Sequence, residues 1–383
     1  MKIVIASDSF KGSASTFEIA SFIKKGIIRV VPNAFVIKLP LADGGEGTVD
    51  ALTTALNGQY IEREVTGPLG KKVKAKFGII GDIAVIEMAK ASGLTILQKE
   101  ERNPFLTTTY GTGELIKAAL DYGVREILIG IGGSSTNDAG VGMAQALGVS
   151  FKDKYNEEIG YGAQSIADIK TMDITKIDSR IKNTKITILS DVTNPLCGEN
   201  GASYVYGPQK GASADDVKKL DSLLYEFGKM IETELQINVM NQKGAGAAGG
   251  LGAGLMAFCH AIPSSGIETV LKMLDLEAHI KGADLVITGE GMMDSQSING
   301  KAPIGVANIA KNYRVPVIAI VGSEGAGVNE VYEHGIDLII NIINRPMGMQ
   351  DAMENVRELT EDAGERAIRA FYLGKRETHK LES

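Results

Sequence analysis

Glu290, Asp294 and Lys301 lie in one short segment, Ala283–Pro303, which reads ADLVITGEGMMDSQSINGKAP. Carboxylates hold a hard divalent cation or a substrate hydroxyl, and a lysine offsets charge on phosphoryl oxygens. Gly289, Gly291 and Gly300 let a backbone approach a ligand closely. The apolar run Leu285–Thr288 reads as a buried parallel strand that stops at Gly289 and feeds a loop, with a helix after it. Open α/β sheets bind ligands at such carboxyl ends. The segment therefore suits a phosphorylated, metal-bearing ligand.

Other loops repeat this placement. After the strand Ile3–Ala6 comes DSFKGS, where Asp8 is suited to a metal or a substrate hydroxyl and Lys11 to a phosphate. In DGGEGT, Asp43 stands beside Gly44 and Gly45, and the helix after it offers unpaired amides to an anion. The stretch Gly132–Gly140, GGSSTNDAG, puts Gly133, Ser134 and Asn137 at another helix start, with the physics of a phosphate cradle. Asn137 and Asp138 serve equally well there as caps. Asp191, at the end of a further strand, is a candidate base or metal ligand, and Asn194-Pro195 is a turn. Gly207–Gly211 presents Lys210 on a rigid turn, while Gly244–Gly250 has no reactive side chain and reads as packing ahead of a backbone laid against a nucleotide. Walker A, protein-kinase, serine-hydrolase and zinc-protease motifs are all missing. The histidines lack metal-ligand spacing, so a metal, if used, is Mg²⁺ held by carboxylates and phosphates.

The rest of the chain must position these loops. Its 383 residues allow two or three domains, and 44% hydrophobic with 23% charged content supports a full core. A net charge of -7 and few aromatics argue against nucleic-acid binding. Two cysteines make no disulfide framework, and the amino-terminal apolar run is too short for a signal peptide. The longest uncharged stretch, Gly244–Ile262, contains six glycines. A continuous helix there would lose about 5 kcal/mol, so no membrane span is expected, and the expected location is cytoplasmic.

Ser15-Thr-Phe-Glu18 fits a capping box that starts the first helix. A second strand, Phe35–Leu39, and a helix from Thr48 repeat the βα logic. From Ile61 to Met88 the pattern becomes an antiparallel meander, and βα units return from Ala283. The expected fold class is α/β: a Rossmann-like, doubly wound parallel-sheet domain, discontinuous, with a second α/β domain inserted. The expected bounds are residues 1–66 with 283–383 for the first and 67–282 for the second. The active site is expected in the cleft between them, where hinge closure suits a ligand.

Taken together and in order, these loops resemble the type I glycerate kinase family. The likeness rests on DSFKGS, ADGGEGT, GGSSTND, DVTNPLCG, GPQKGA, GAGAAGG and ADLVITGEG, and runs collinearly to about Tyr372. The family commonly carries Arg where this chain has Met292. The resemblance implies a Rossmann-like fold with an inserted α/β domain and ATP-dependent phosphorylation of D-glycerate, most often to 2-phosphoglycerate. From strand-end position and residue type, Asp43 or Asp294 is expected to hold Mg²⁺, and Lys11 and Lys301 to offset charge on the transferring phosphoryl group. Asp191 is expected to accept the hydroxyl proton. Asp8, Gly44, Gly45, Gly133, Ser134, Asn137, Asn194, Lys210 and Glu290 are expected to bind substrate or phosphate. The partners would be D-glycerate and ATP, with a homo-oligomer left open. A non-catalytic sensor would not need so many acid and lysine loops. A nicotinamide dehydrogenase needs G-x-G-x-x-G after the first strand, which the Ser7–Ser13 loop lacks. A kinase of a related hydroxy acid is the closest competitor.

Overall fold

The computed structural model describes residues 1–298 and 300–381. The chain forms two compact units, residues 1–43 with 267–383 and residues 44–266.

The first unit is built on a parallel five-stranded sheet in the order Leu338–Asn341, Val317–Glu324, Leu285–Met293, Lys2–Ser7, Phe35–Pro40. Numbered along the chain within this unit, the order is 2-1-3-4-5. It reverses between Lys2–Ser7 and Leu285–Met293, and in doubly wound sheets such a reversal opens a crevice at the carboxyl ends. Ile3, Ile5, Leu285, Ile287, Ile318 and Ile320 bury one face of the sheet under the helices Thr16–Val30 and Val356–Leu381. Val4, Ala6, Val286 and Thr288 alternate with them and are also buried, as a sheet covered on both sides requires. The helix Ala302–Asn312 lies against Leu285–Met293. The expected capping box is formed, with Ser15 N–H donating to Glu18 Oε2 at 2.9 Å and Glu18 N–H to Ser15 Oγ at 3.3 Å. The carboxyl-terminal tail was expected to fray from Lys375; the last helix includes its first part, and Glu382 and Ser383 lie outside the described residues.

The second unit carries a mixed sheet. Ile262–Ser264, Lys185–Leu189, Glu126–Gly130 and Ile83–Glu87 run parallel, and Lys72–Ile80 and Gln59–Thr66 add antiparallel. The helix Ala214–Leu235 buries Val217, Leu220, Leu224, Phe227 and Ile231, the stripe its spacing predicts. Ser150–Lys152 and Thr171–Asp173 form a separate antiparallel ribbon.

Two boundaries differ from those read in the sequence. The chain leaves the first unit after Asp43, not after Thr66, because Gln59–Thr66 pairs along its length with Lys72–Ile80. The helix Thr48–Ala55 packs on that same sheet, so the strand and helix of the expected second βα pair belong to different units. The chain returns at Ile267 rather than Ala283, because Ile267 and Leu271 pack against Gly305 of the first unit. The strand expected to end at Thr288 continues to Met293, pairing Met292 with Ser323. Gly289 does not break it: a Cβ there would lie 2.0 Å from Ile320 O, so this glycine permits close strand approach.

Candidate active site

In the first unit, the strand reversal gathers most of the acids singled out from sequence. Asp8 comes directly after the first strand and donates its backbone N–H to Gly289 O at 2.9 Å. The Phe10–Lys11 backbone lies against Gly291, with Lys11 N 3.5 Å from where a Cβ would stand. Burial pushes the Asp8 carboxyl up to about 6, reinforced by the charges of Asp43 and Glu290 and opposed by the Ser9 N–H. Glu290 is buried and its carboxyl is also raised, by desolvation first, with Asp294 adding to the effect and Ser297 and Lys301 opposing it. Electrostatic coupling thus runs along a row, Asp43–Asp8–Glu290–Asp294.

Lys301 supplies positive charge to this row. Its Nζ stands 3.3 Å from Glu290 Oε2, 3.5 Å from Ser297 Oγ and 4.0 Å from Asp294 Oδ1. Glu290 Oε1 is buried without a hydrogen-bond partner. A carboxylate row with one lysine and an unpartnered buried oxygen is short of counter-charge, which suits a divalent cation. Among the described residues no cluster of three or more acids, histidines or cysteines could hold a metal by itself. A cation held by only one or two carboxylates completes its shell with phosphates and water. Lys11 and Asp43 are exposed, and Asp294 is half-buried.

In the second unit the expected residues sit on glycine-rich loops that pack backbone to backbone. A Cβ on Gly44 would stand 2.9 Å from Leu189 O, one on Gly130 would stand 2.2 Å from Gly44 O, and one on Gly132 would stand 3.1 Å from Gly45 Cα. Residues 44–45 are thereby seated against the ends of two parallel strands. Asp191, two residues past the strand Lys185–Leu189, is exposed. Asn194, expected to touch substrate, uses its amide to brace its own turn. Its Nδ2 donates to Asn200 O at 2.7 Å and its Oδ1 accepts from Tyr206 O–H at 2.8 Å. Gly244–Gly250 packs, as read from the sequence: Gly246 N–H donates to Asn194 O, and Ala139 N–H to Gly249 O.

Lys210 differs most from its expectation. It does not project from its turn but is buried, donating to Ser134 Oγ at 2.8 Å and to Thr136 O at 2.7 Å. Burial pushes its pKa down to about 7, opposed by the charge of Asp138. Gly133 is exposed, Ser134 is buried, and Asn137 is buried with Nδ2 donating to Ser203 Oγ at 3.1 Å. Asp138 is a cap: its carboxylate accepts from the N–H groups of Thr109, Gly140 and Gly142 and from Thr109 Oγ1.

One residue of this region was missed in the sequence. Glu87 ends the strand Ile83–Glu87, is buried, and accepts the Val49 N–H at 2.8 Å. It satisfies an orphan amide at the start of Thr48–Ala55, whose Gly47 N-cap has no side chain to do so. An acid closing the apolar run Ile83–Met88 was the signal, the same one that marks Asp8.

Comparison with known proteins shows the family of the chain. Residues 3–372 match the model of the glycerate kinase family. The chain is 52% identical over 345 residues to the glycerate 2-kinase of Escherichia coli K12, covering 90% of this chain and 91% of that protein. It is 50% identical over 363 residues to the glycerate kinase of Bacillus subtilis 168, covering 94% and 95%. The crystal structure of a putative glycerate kinase 2 from Salmonella typhimurium LT2 superposes with a TM-score of 0.88 at 47% identity, over 98% of this chain and 99% of that one. By family match, identity and fold, the chain belongs to the glycerate kinase family.

Proposed function

We propose that this protein transfers the γ-phosphoryl group of ATP to D-glycerate, giving ADP and 2-phosphoglycerate. The observation that carries the proposal is the Asp43–Asp8–Glu290–Asp294 row with Lys301 beside it, at the strand reversal of a glycerate kinase family chain.

Phosphoryl transfer asks a protein mainly for positioning and for charge placed against the phosphoryl oxygens. Mg²⁺ held by one or two carboxylates of the row, Asp43 or Asp294 foremost, would supply neutralisation across the phosphates. Lys301 is anchored by Glu290, which keeps its ammonium beside the row, and exposed Lys11, whose backbone lies against Gly291, offers a second cation. Asp191 accepts the proton of the attacking hydroxyl; its exposed place past a strand end supports that role. The Gly44–Gly45 and Gly133–Ser134 segments hold phosphate or the glycerate carboxylate, a role supported by close backbone packing at Gly44–Gly45 and by the Leu94 N–H donating to Gly133 O, which fix the segments in advance.

The test supplies ATP, Mg²⁺ and D-glycerate and monitors the product by phosphorus NMR without proton decoupling. A new phosphomonoester doublet, from coupling to the single proton on C2, is expected. A triplet would move the product to 3-phosphoglycerate, and no ATP consumption would refute the reading.

A further inference from the structure

Lys210 is buried with no ion pair among the described residues. The nearby acid, Asp138, spends its oxygens on backbone amides and the Thr109 hydroxyl. Burying a lone ammonium is costly, so its hydrogen bonds call for a reason. When Lys210 is protonated its ammonium only donates, and the Ser134 oxygen then accepts from it. The Ser134 hydrogen is then directed to some other acceptor. Ser134 is 6% exposed, and no described protein group accepts from it. The two residues before it, Gly132 and Gly133, are exposed, so the loop opens to solvent on that side.

The loop itself is held from several directions. Ser135 donates to Ser92 O through both its N–H and its hydroxyl, and Thr107 Oγ1 donates to Ser135 O. Lys210 Nζ ties down Thr136 O, and Gly249 meets the Thr136 backbone on its other side. The Ser134 oxygen is therefore fixed in place, while its hydrogen has no acceptor among the described residues. Charge-assisted donation to an anionic oxygen is the strongest use of such a group.

We propose that Lys210 is a positioning residue that fixes the Ser134 hydroxyl as a donor to an anionic oxygen of the bound substrate. That oxygen belongs to a phosphoryl or a carboxylate group. The proposal rests on the kinase reading for the identity of the anion. It assigns Lys210 no contact with substrate, only an effect through Ser134.

The test is a double-mutant cycle of Ser134→Ala, Lys210→Met and the pair, in steady-state kinetics with ATP and D-glycerate varied in turn. Circular dichroism and thermal melts check folding. Ser134→Ala is expected to raise one KM about tenfold with kcat within about threefold, the mark of lost binding common to ground and transition states. A rise for ATP identifies a phosphoryl oxygen, and a rise for D-glycerate the carboxylate. Lys210→Met should raise the same KM, and the double variant should be no worse than either single one. Multiplicative losses in the double variant, or an unchanged KM in Ser134→Ala, would overturn the proposal. If Lys210→Met does not fold, Lys210→Gln, which keeps a neutral donor, takes its place in the same cycle. Wild-type turnover is measured alongside, so an inactive wild type refutes the kinase reading, whereas an unperturbed Ser134→Ala refutes only this proposal.

Discussion

Asp8→Asn should make the protein more stable and less active, and the gain should depend on pH in a defined direction. The Asp8 carboxyl is raised from 3.8 to about 6, chiefly by burial and then by Asp43 and Glu290. Between those values the folded chain holds a proton that the unfolded chain has released, so ionisation opposes folding as pH rises. A shift of about two units at 1.36 kcal/mol each corresponds to about 3 kcal/mol of cost above pH 7, falling to about 0.6 kcal/mol at pH 4. Asparagine never ionises, yet it keeps an oxygen for the Ser9 N–H, which now donates to Asp8 Oδ1 at 2.6 Å. Urea unfolding monitored by far-UV circular dichroism, in EDTA, should show Asp8→Asn gaining about 3 kcal/mol at pH 8 and little at pH 4. A gain that does not change with pH, or a loss at pH 8, would refute the account of Asp8 as a carboxylate crowded by like charges. Activity should fall at least tenfold in the same variant, since the charge that costs stability is the one suited to a bound cation.

Asp191→Asn should lower kcat by about 10²- to 10⁴-fold while the protein still folds, as asparagine keeps the size of this exposed side chain but cannot take up a proton; a near wild-type kcat removes Asp191 as the base. Gly249→Ala should destabilise the protein by at least about 2 kcal/mol in chemical denaturation. Its φ is +68°, and a Cβ would stand 1.9 Å from Thr136 O; wild-type stability would disprove the close packing. Glu87→Ala should cost about 1–2 kcal/mol by leaving the Val49 amide without its acceptor. Glu87→Gln should restore most of that loss, and equal losses in both variants would show that the acceptor is not what matters.

The sequence exposed the strand-end loops well, because a run such as Ile3–Ala6 closing on an acid has few other readings. The stripe on Ala214–Leu235 and the Ser15–Glu18 box were legible for similar reasons: each is a local pattern with a local cause. The features that stayed hidden were set by partners distant in sequence. Gly289 looks like a strand end until Ile320 is known to lie beside it. Gln59–Thr66 looks separable from the inserted domain until its pairing with Lys72–Ile80 is seen. Lys210 on a Gly-Pro-Gln-Lys-Gly turn reads as exposed, and only the position of Ser134 and Thr136, more than seventy residues earlier, draws it inside. Asn194 reads as a ligand for a more local reason: its bonds to Asn200 and Tyr206, six and twelve residues on, depend on how the turn closes.

The backbone-to-backbone seating of Gly44, Gly130 and Gly249 also shapes how this protein can vary. Where one main chain touches another, no side chain remains to be exchanged for a similar one. A polar contact offers graded substitutes, serine for threonine or glutamate for glutamine, and a lineage can cross between them. These glycines offer none, because the smallest addition already collides with a carbonyl. In a saturation library selected for growth on glycerate, the outline of the second unit's loops should emerge first as a trace of glycines that admit nothing. The acids and hydroxyls between them would appear as a softer, tunable pattern.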